Sequence, residues 1–225
     1  MSHRFKGEDQ RVKFSTFEIC SKKEFRINYN LMVQANAISL DRMVIAVEKV
    51  RQRPLKVCHA LDEAGITYAA AGDNAVATWV STVDEAAVRN TRDVDVMINR
   101  PDLNAVRSVL EKSEFVYRHV AGLDVFLESE QGSVRDAVHL LFANEYVREG
   151  EPSPNPSLMV TATMGEFKVL DLMALVQIKL TAFRDKDRTH IRDMIEVGLI
   201  DESWVARLSE TLGSRLQAIL NDPNG

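Results

Sequence analysis

A chain of 225 residues with 45% hydrophobic and 27% charged residues has the balance of an ordinary globular protein, with enough length for one sizeable core. A net charge of −5 excludes a general pull toward nucleic acid or anionic membrane, so a polyanionic partner needs a local basic patch. No apolar run approaches the roughly 20 residues of a membrane-crossing helix, and the start MSHRFKGEDQ lacks a secretory h-region, which points to the cytoplasm.

Residues 1–40 read as a separate arm. Its first thirty residues carry seven Lys/Arg against four acids without periodicity, and no function is assigned to it. Cys20 and Cys58 have no pairing or metal spacing and read as reduced thiols. From about Leu40 to Ala64 apolar residues recur at helical spacing, with Pro54 expected to kink the pattern and Gly65 to close it. Ile66 to Ala71 reads as a buried strand, followed by Gly72-Asp73-Asn74 and a helix from about Ala75. Asp93 to Ile98 alternates carboxylate with apolar residues, the period-two pattern of a strand, and Pro101-Asp102 opens a helix through Lys112.

Phe115–Val120, Asp124–Leu127 and Ala137–Phe142 are further strand candidates, and EGEPSPNPS, with three prolines, is the clearest loop. Leu158–Thr163 and Phe167–Leu170 are strand-like. Helical patterns follow over Asp171–Phe183, Asp187–Val197 and Asp201–Leu220, the last with Asp201 as N-cap. The expectation is an α/β (α+β) protein: a mixed sheet flanked by helices over residues 41–163, with a helical region over 164–225 packing on it.

The sharpest chemical feature is Asp93-x-Asp95. On a strand the two carboxylates point to one face, about 7 Å apart at their Cα atoms, where they can converge on a hard divalent cation such as Mg²⁺. A bare pair of this kind also fits an ordinary solvent-facing edge. Its context is a strand that ends at Gly72 and turns into a helix, a corner whose backbone N–H groups and positive helix end suit a triphosphate.

The run AAAGDNAVATWVSTVDEAAVRNTRDVDVMI resembles the signature of minimal nucleotidyltransferases of the polymerase-β-like superfamily, nearest to the group that includes AbiEii-type toxins. There a Gly-Gly or Gly-Ser pair opens the helix and a D-x-D or D-x-E binds Mg²⁺; Gly72 matches the first glycine, and Asp93 and Asp95 the metal pair. Lys179 to Arg184, followed by Asp187-Arg188 and Ile191-Arg192-Asp193, resembles the family's Lys…Arg…Arg-Asp helical motif, in which the lysine contacts nucleotide phosphates. The resemblance spans roughly Ala60 to Asp201 and implies a nucleotidyltransferase fold.

It further implies Mg²⁺- or Mn²⁺-dependent transfer of a nucleoside monophosphate from an NTP to an acceptor hydroxyl. Asp93 and Asp95 would be the metal ligands, and Gly72, Asp73, Asn74, Arg92, Lys179, Arg184 and Asp193 the nucleotide-facing residues. A tRNA or a protein would be the acceptor and a cognate antitoxin a partner. Two departures stand out. Asp73 replaces the second Gly or Ser and puts negative charge where a triphosphate should sit. The third carboxylate expected on a later strand aligns with His139, a general base near neutral pH but a poorer Mg²⁺ ligand. Asp124, one strand earlier, is the alternative third group, and Asp136 a weaker one.

Together the departures support a rival reading, a catalytically silent nucleotidyltransferase-like binding or antitoxin-like partner. A drug-modifying enzyme would need an acidic acceptor cleft, which the sequence does not show. His190 and Asp193 share a helix face and read as a supporting hydrogen-bonded pair. The cluster Arg184, Lys186, Arg188 and Arg192 fits a phosphate groove or a solvated surface, since acids interleave with it.

Overall fold

The structure is a computed structural model that describes residues 52–89, 93–158, 161–164 and 167–223. The expected N-terminal arm and Arg92 lie outside the described residues.

The described chain begins in a helix, α1, that runs from residue 52 to 63 with Pro54 in its first described turn. It ends in a Schellman turn. Gly65 adopts φ +67°, the Ile66 N–H donates to the Leu61 carbonyl, and the Gly65 N–H donates to the Asp62 carbonyl. β1 (Tyr68–Ala71) follows and passes directly into α2 (Gly72–Ser81). The helix thus starts at Gly72 itself, three residues before the expected Ala75, because the glycine supplies the turn. Beyond it lie β2 (Val94–Ile98), α3 (Leu103–Lys112), β3 (Val116–Val120), β4 (Leu123–Leu127) and β5 (Val138–Phe142). β6 (Thr161–Met164), β7 (Phe167–Leu170), α4 (Leu172–Ala182), α5 (Asp185–Glu196) and α6 (Glu210–Asn221) complete the order.

One expected helix is divided. Residues 201–220 form a 3-10 segment, Glu202–Arg207, and then α6, with an extended Leu208 between them. Asp201 caps the 3-10 segment by accepting from the Ser203 N–H. The break lets Gly213 press against Val205, whose carbonyl oxygen would lie 2.9 Å from any Cβ at that position.

The seven strands form one mixed sheet in the order β3-β4-β5-β2-β1-β7-β6. β1 runs antiparallel to β2, while β2–β5 and β1–β7 are parallel. Each face packs a core. On one, Val57 and Leu61 of α1 and Val106 and Leu110 of α3 cover Val94, Val96, Ile98, Val138 and Leu140. On the other, Val76 and Val80 of α2, Leu175 and Leu180 of α4, Ile191 and Met194 of α5, and Leu216 of α6 pack over Ala69, Ala71 and Met97.

The alternation in β2 therefore decides where the chemistry goes. Val94, Val96 and Ile98 face α1 and α3, whereas Asp93, Asp95 and Met97 face α2 and the C-terminal helices. Among the described residues no helix is long and apolar enough to cross a membrane. Cys58 is buried in α1, and burial pushes its thiol up to about 12, so it is an unreactive core group.

Candidate active site

The site assembles where β1 ends, at the edge of the face covered by α2, α4 and α5. Gly72 holds φ +60°, and a Cβ built on it would lie 1.8 Å from Asp95 Oδ2. Backbone and carboxylate are therefore in direct contact, which only glycine permits. The capping residue Ala71 has no side chain able to satisfy the first N–H groups of α2. Asn74, in the first turn, donates from Nδ2 to the Asp93 carbonyl at 2.8 Å and ties the helix start to the start of β2.

Asp95 pairs in register with His139 of the parallel strand β5. Asp93, Asp95 and His139 each offer a ligand atom, and these atoms all lie within 4.8 Å of one another. His139 Nδ1 is 3.4 Å from Asp95 Oδ1, while its Nε2 lies 3.1 Å from the Val134 carbonyl oxygen. The hydrogen bond to Asp95 is the main influence that raises the His139 pKa above its ordinary value, against the opposing effect of burial. Two carboxylates and an imidazole at this spacing suit a divalent cation, and the direct contact with Gly72 fixes the position of Asp95.

Of the two alternatives for the third group, the structure brings His139 to the pair and not Asp124. Asp124 shares the parity of Phe126, which packs in the α1/α3 core, so its side chain leaves the opposite face of the sheet. There it accepts from the Tyr117 hydroxyl at 2.5 Å and lies 2.8 Å from His119 Nδ1 and 3.7 Å from Arg100 Nη1. It is a structural carboxylate. Asp136 sits in a short 3-10 turn before β5.

A basic group stands opposite the acidic one. Lys179 of α4 is 2% exposed, with its Nζ 3.0 Å from Asp73 Oδ1 and 3.4 Å from Asp187 Oδ1. Lys186 lies 3.2 Å from Asp73 Oδ2 and 3.7 Å from Asp93 Oδ2, so it bridges the two acids. Burial favours a neutral Asp73. Lys179, His190 whenever its ring is charged, and Lys186 together outweigh it and hold the carboxyl down at about 2. Burial likewise pulls Lys186 down, but Asp73 and then Asp93 outweigh it and raise its pKa.

Arg184, at the turn into α5, donates from Nε to Asp187 Oδ2 at 2.7 Å, and the left-handed Phe183 (φ 50°) brings the two helices into this tight corner. From α6, Arg215 donates to the carbonyls of Leu180 and Thr181 at 2.6 and 2.8 Å, closing the end of α4.

His190 and Asp193 differ from the expected pair. Asp193 takes a two-pronged hydrogen bond from Arg89, at 2.8 and 2.9 Å, and not one from His190 Nδ1. His190 Nδ1 is buried without a hydrogen-bond partner, with Asp73 Oδ1 3.6 Å away. Burial, reinforced by Lys179, lowers its pKa, so this ring is neutral near pH 7. Asp187 stands in the sequence only as part of a helical motif and Lys186 only as part of a basic cluster; the turn between α4 and α5 is what brings them to Lys179, Asp73 and Asp93.

Comparisons place this geometry among known folds. Neither a protein-family model nor a curated protein sequence matches the chain. Among solved structures, an antigenic nucleotidyltransferase-like protein from Paracoccidioides brasiliensis superposes with a TM-score of 0.50 at 17% identity, covering 79% of this chain and 90% of that one. Weaker likenesses are to the antibiotic-resistance factor ANT(2'')-Ia (TM-score 0.45, 10% identity, 74% and 88% coverage) and to JHP933 from Helicobacter pylori (0.40, 15%, 81% and 76%). With its mixed seven-stranded sheet and the helices that cover it, the chain has a nucleotidyltransferase-like α/β fold.

Proposed function

We propose that the protein is a divalent-metal-dependent nucleotidyltransferase that moves a nucleoside monophosphate from an NTP to an acceptor hydroxyl. The observation that carries this reading is the convergence of Asp93, Asp95 and His139 beside the Gly72 corner. Asp93 and Asp95 hold the ion, and Asn74 keeps the start of β2 against the start of α2. When bound, the metal neutralises charge on the phosphates and lowers the pKa of the acceptor hydroxyl. The N–H groups at the start of α2 receive phosphate oxygens, a role suited to a helix N-terminus. Lys179 and Lys186 add positive charge on the α4–α5 side, and Arg184 orders that turn through Asp187. In the transfer the acceptor oxygen bonds to the α-phosphorus, pyrophosphate leaves, and the acceptor proton passes to a carboxylate of the pair or to water. The acceptor class is a tRNA or protein hydroxyl, in keeping with the AbiEii-like toxin resemblance, with a cytoplasmic site of action and a cognate antitoxin as partner.

Transfer of label from each α-labelled NTP into RNA or protein of a cell extract tests the proposal. Label that appears with the parent and vanishes in an Asp93→Ala/Asp95→Ala double variant supports it. No label with any NTP and any divalent ion, from folded protein, overturns it. A second reading, a silent nucleotidyltransferase-like binding partner, is favoured by one observation: Asp73 already holds Lys179 and Lys186. NTP binding without transfer would select it.

A further inference from the structure

The third group of the metal cluster carries more information than its presence. His139 Nε2 lies 3.1 Å from the Val134 carbonyl oxygen, and a carbonyl only accepts, so Nε2 is the nitrogen that bears hydrogen. In the neutral ring the lone pair is then on Nδ1, which faces Asp95 Oδ1 at 3.4 Å. A ligand atom from each of Asp93, Asp95 and His139 lies within 4.8 Å of the others, and a divalent cation there takes the place of the proton that otherwise joins His139 to Asp95. A backbone carbonyl that fixes the far ring nitrogen is the usual support of a metal-binding histidine, since it sets the tautomer and the ring orientation. The strands enforce the arrangement. Asp95 and His139 are register partners on parallel β2 and β5, and Gly72 presses against the outer side of Asp95.

We infer that His139 Nδ1 is a direct ligand, and that the site selects a first-row transition cation of the cobalt–zinc type over Mg²⁺. This rests on the proposed metal-dependent reading and specifies which ion it uses. The chemical reason is ligand type: imidazole nitrogen suits the later first-row ions, whereas Mg²⁺ favours all-oxygen sites and retains its waters. An aspartate at position 139 would convert the same corner into an all-carboxylate site.

The test uses the full chain with metal ions alone. Zn²⁺, Co²⁺ and Mg²⁺ are titrated calorimetrically into the parent and into His139→Asp, with circular dichroism to check folding. Long-range ¹H–¹⁵N spectra follow the imidazole nitrogens during the Zn²⁺ titration. The parent is expected to bind Zn²⁺ and Co²⁺ at least a hundredfold more tightly than Mg²⁺. The His139 Nδ1 resonance should move while Nε2 stays protonated, and His139→Asp should shrink the Co²⁺-to-Mg²⁺ preference at least tenfold. Equal binding of Mg²⁺ and Zn²⁺ by the parent, with the His139 nitrogens unmoved, overturns the inference and leaves metal-dependent transfer standing. No binding of any divalent ion overturns both. If His139→Asp fails to fold, the parent's nitrogen shifts and ion preference still decide the matter.

Discussion

Replacing Gly72 with alanine separates the site from the fold more cleanly than any carboxylate substitution. The added Cβ would lie 1.8 Å from Asp95 Oδ2 and 2.6 Å from its Cγ, while ordinary contact begins near 3.4 Å. The carboxylate must therefore retreat by roughly 1.6 Å, since the backbone side of the contact is fixed between β1 and α2. In addition, a φ of +60° costs an alanine about 1–2 kcal/mol relative to glycine. That cost is a drop of roughly 2–8 °C in melting temperature for a chain of this size. A displacement above an ångström in a group that positions reactants costs on the order of a hundredfold in rate, and divalent-ion affinity should fall at least tenfold. Calorimetric titration with Mn²⁺, beside a thermal melt, reads both effects. A Gly72→Ala protein that binds Mn²⁺ as the parent does would show that Asp95 does not need its present position, and the metal assignment would fail with it.

Three other substitutions probe the surroundings. Asp73→Asn tests the charge cluster through pH. Because the folded-state pKa of Asp73 is depressed from 3.8 to about 2, its contribution of about 2 kcal/mol is complete above pH 4 and is lost as pH falls toward 2. The stability gap between parent and variant in urea titrations should narrow over that window, and a gap independent of pH would refute the assignment. Lys179→Met leaves Asp73 and Asp187 without their shared buried cation and should cost about 3–5 kcal/mol, seen as a melting temperature lower by roughly ten degrees; an unchanged melt counts against the cluster. Asp124→Asn should cost about 1–3 kcal/mol, because Tyr117 and His119 lose a carboxylate partner, yet leave divalent-ion affinity untouched. A fall in metal affinity would return Asp124 to the site.

Much of the sheet and half of the site were legible because they follow from local pattern. At the start of β2 the run Asp93-Val94-Asp95-Val96 keeps a period of two, so Asp93 and Asp95 fall on one face and Val94 and Val96 on the other, although Met97 and Ile98 are both buried. Gly72 between a buried strand and an apolar helix marks the corner. β4 was opaque for a physical reason. Val125, Phe126 and Leu127 are all buried, which erases the period-two signal that would have shown Asp124 pointing away from the pair. His139 gained its place through pairing of β5 with β2, a parallel register that no local pattern encodes. The break at Leu208 was hidden by helix-forming residues on both sides, and it reflects the close seat of Gly213 on Val205. The Arg89–Asp193 pair spans 104 residues, beyond the reach of any spacing rule.

The bridge from Lys179 to Asp73 also closes a span of 106 residues, and this has a consequence for how the molecule comes into being. During synthesis Asp73, Asp93 and Asp95 emerge long before α4 and α5, so three carboxylates gather at one corner while their lysines are still unmade. Like charges there oppose closure of β1 and α2 onto β2 until Lys179 and Lys186 arrive. The corner therefore acquires its neutralising charge only once α4 and α5 have been made, the same helices that cover the apolar face of the sheet beside it.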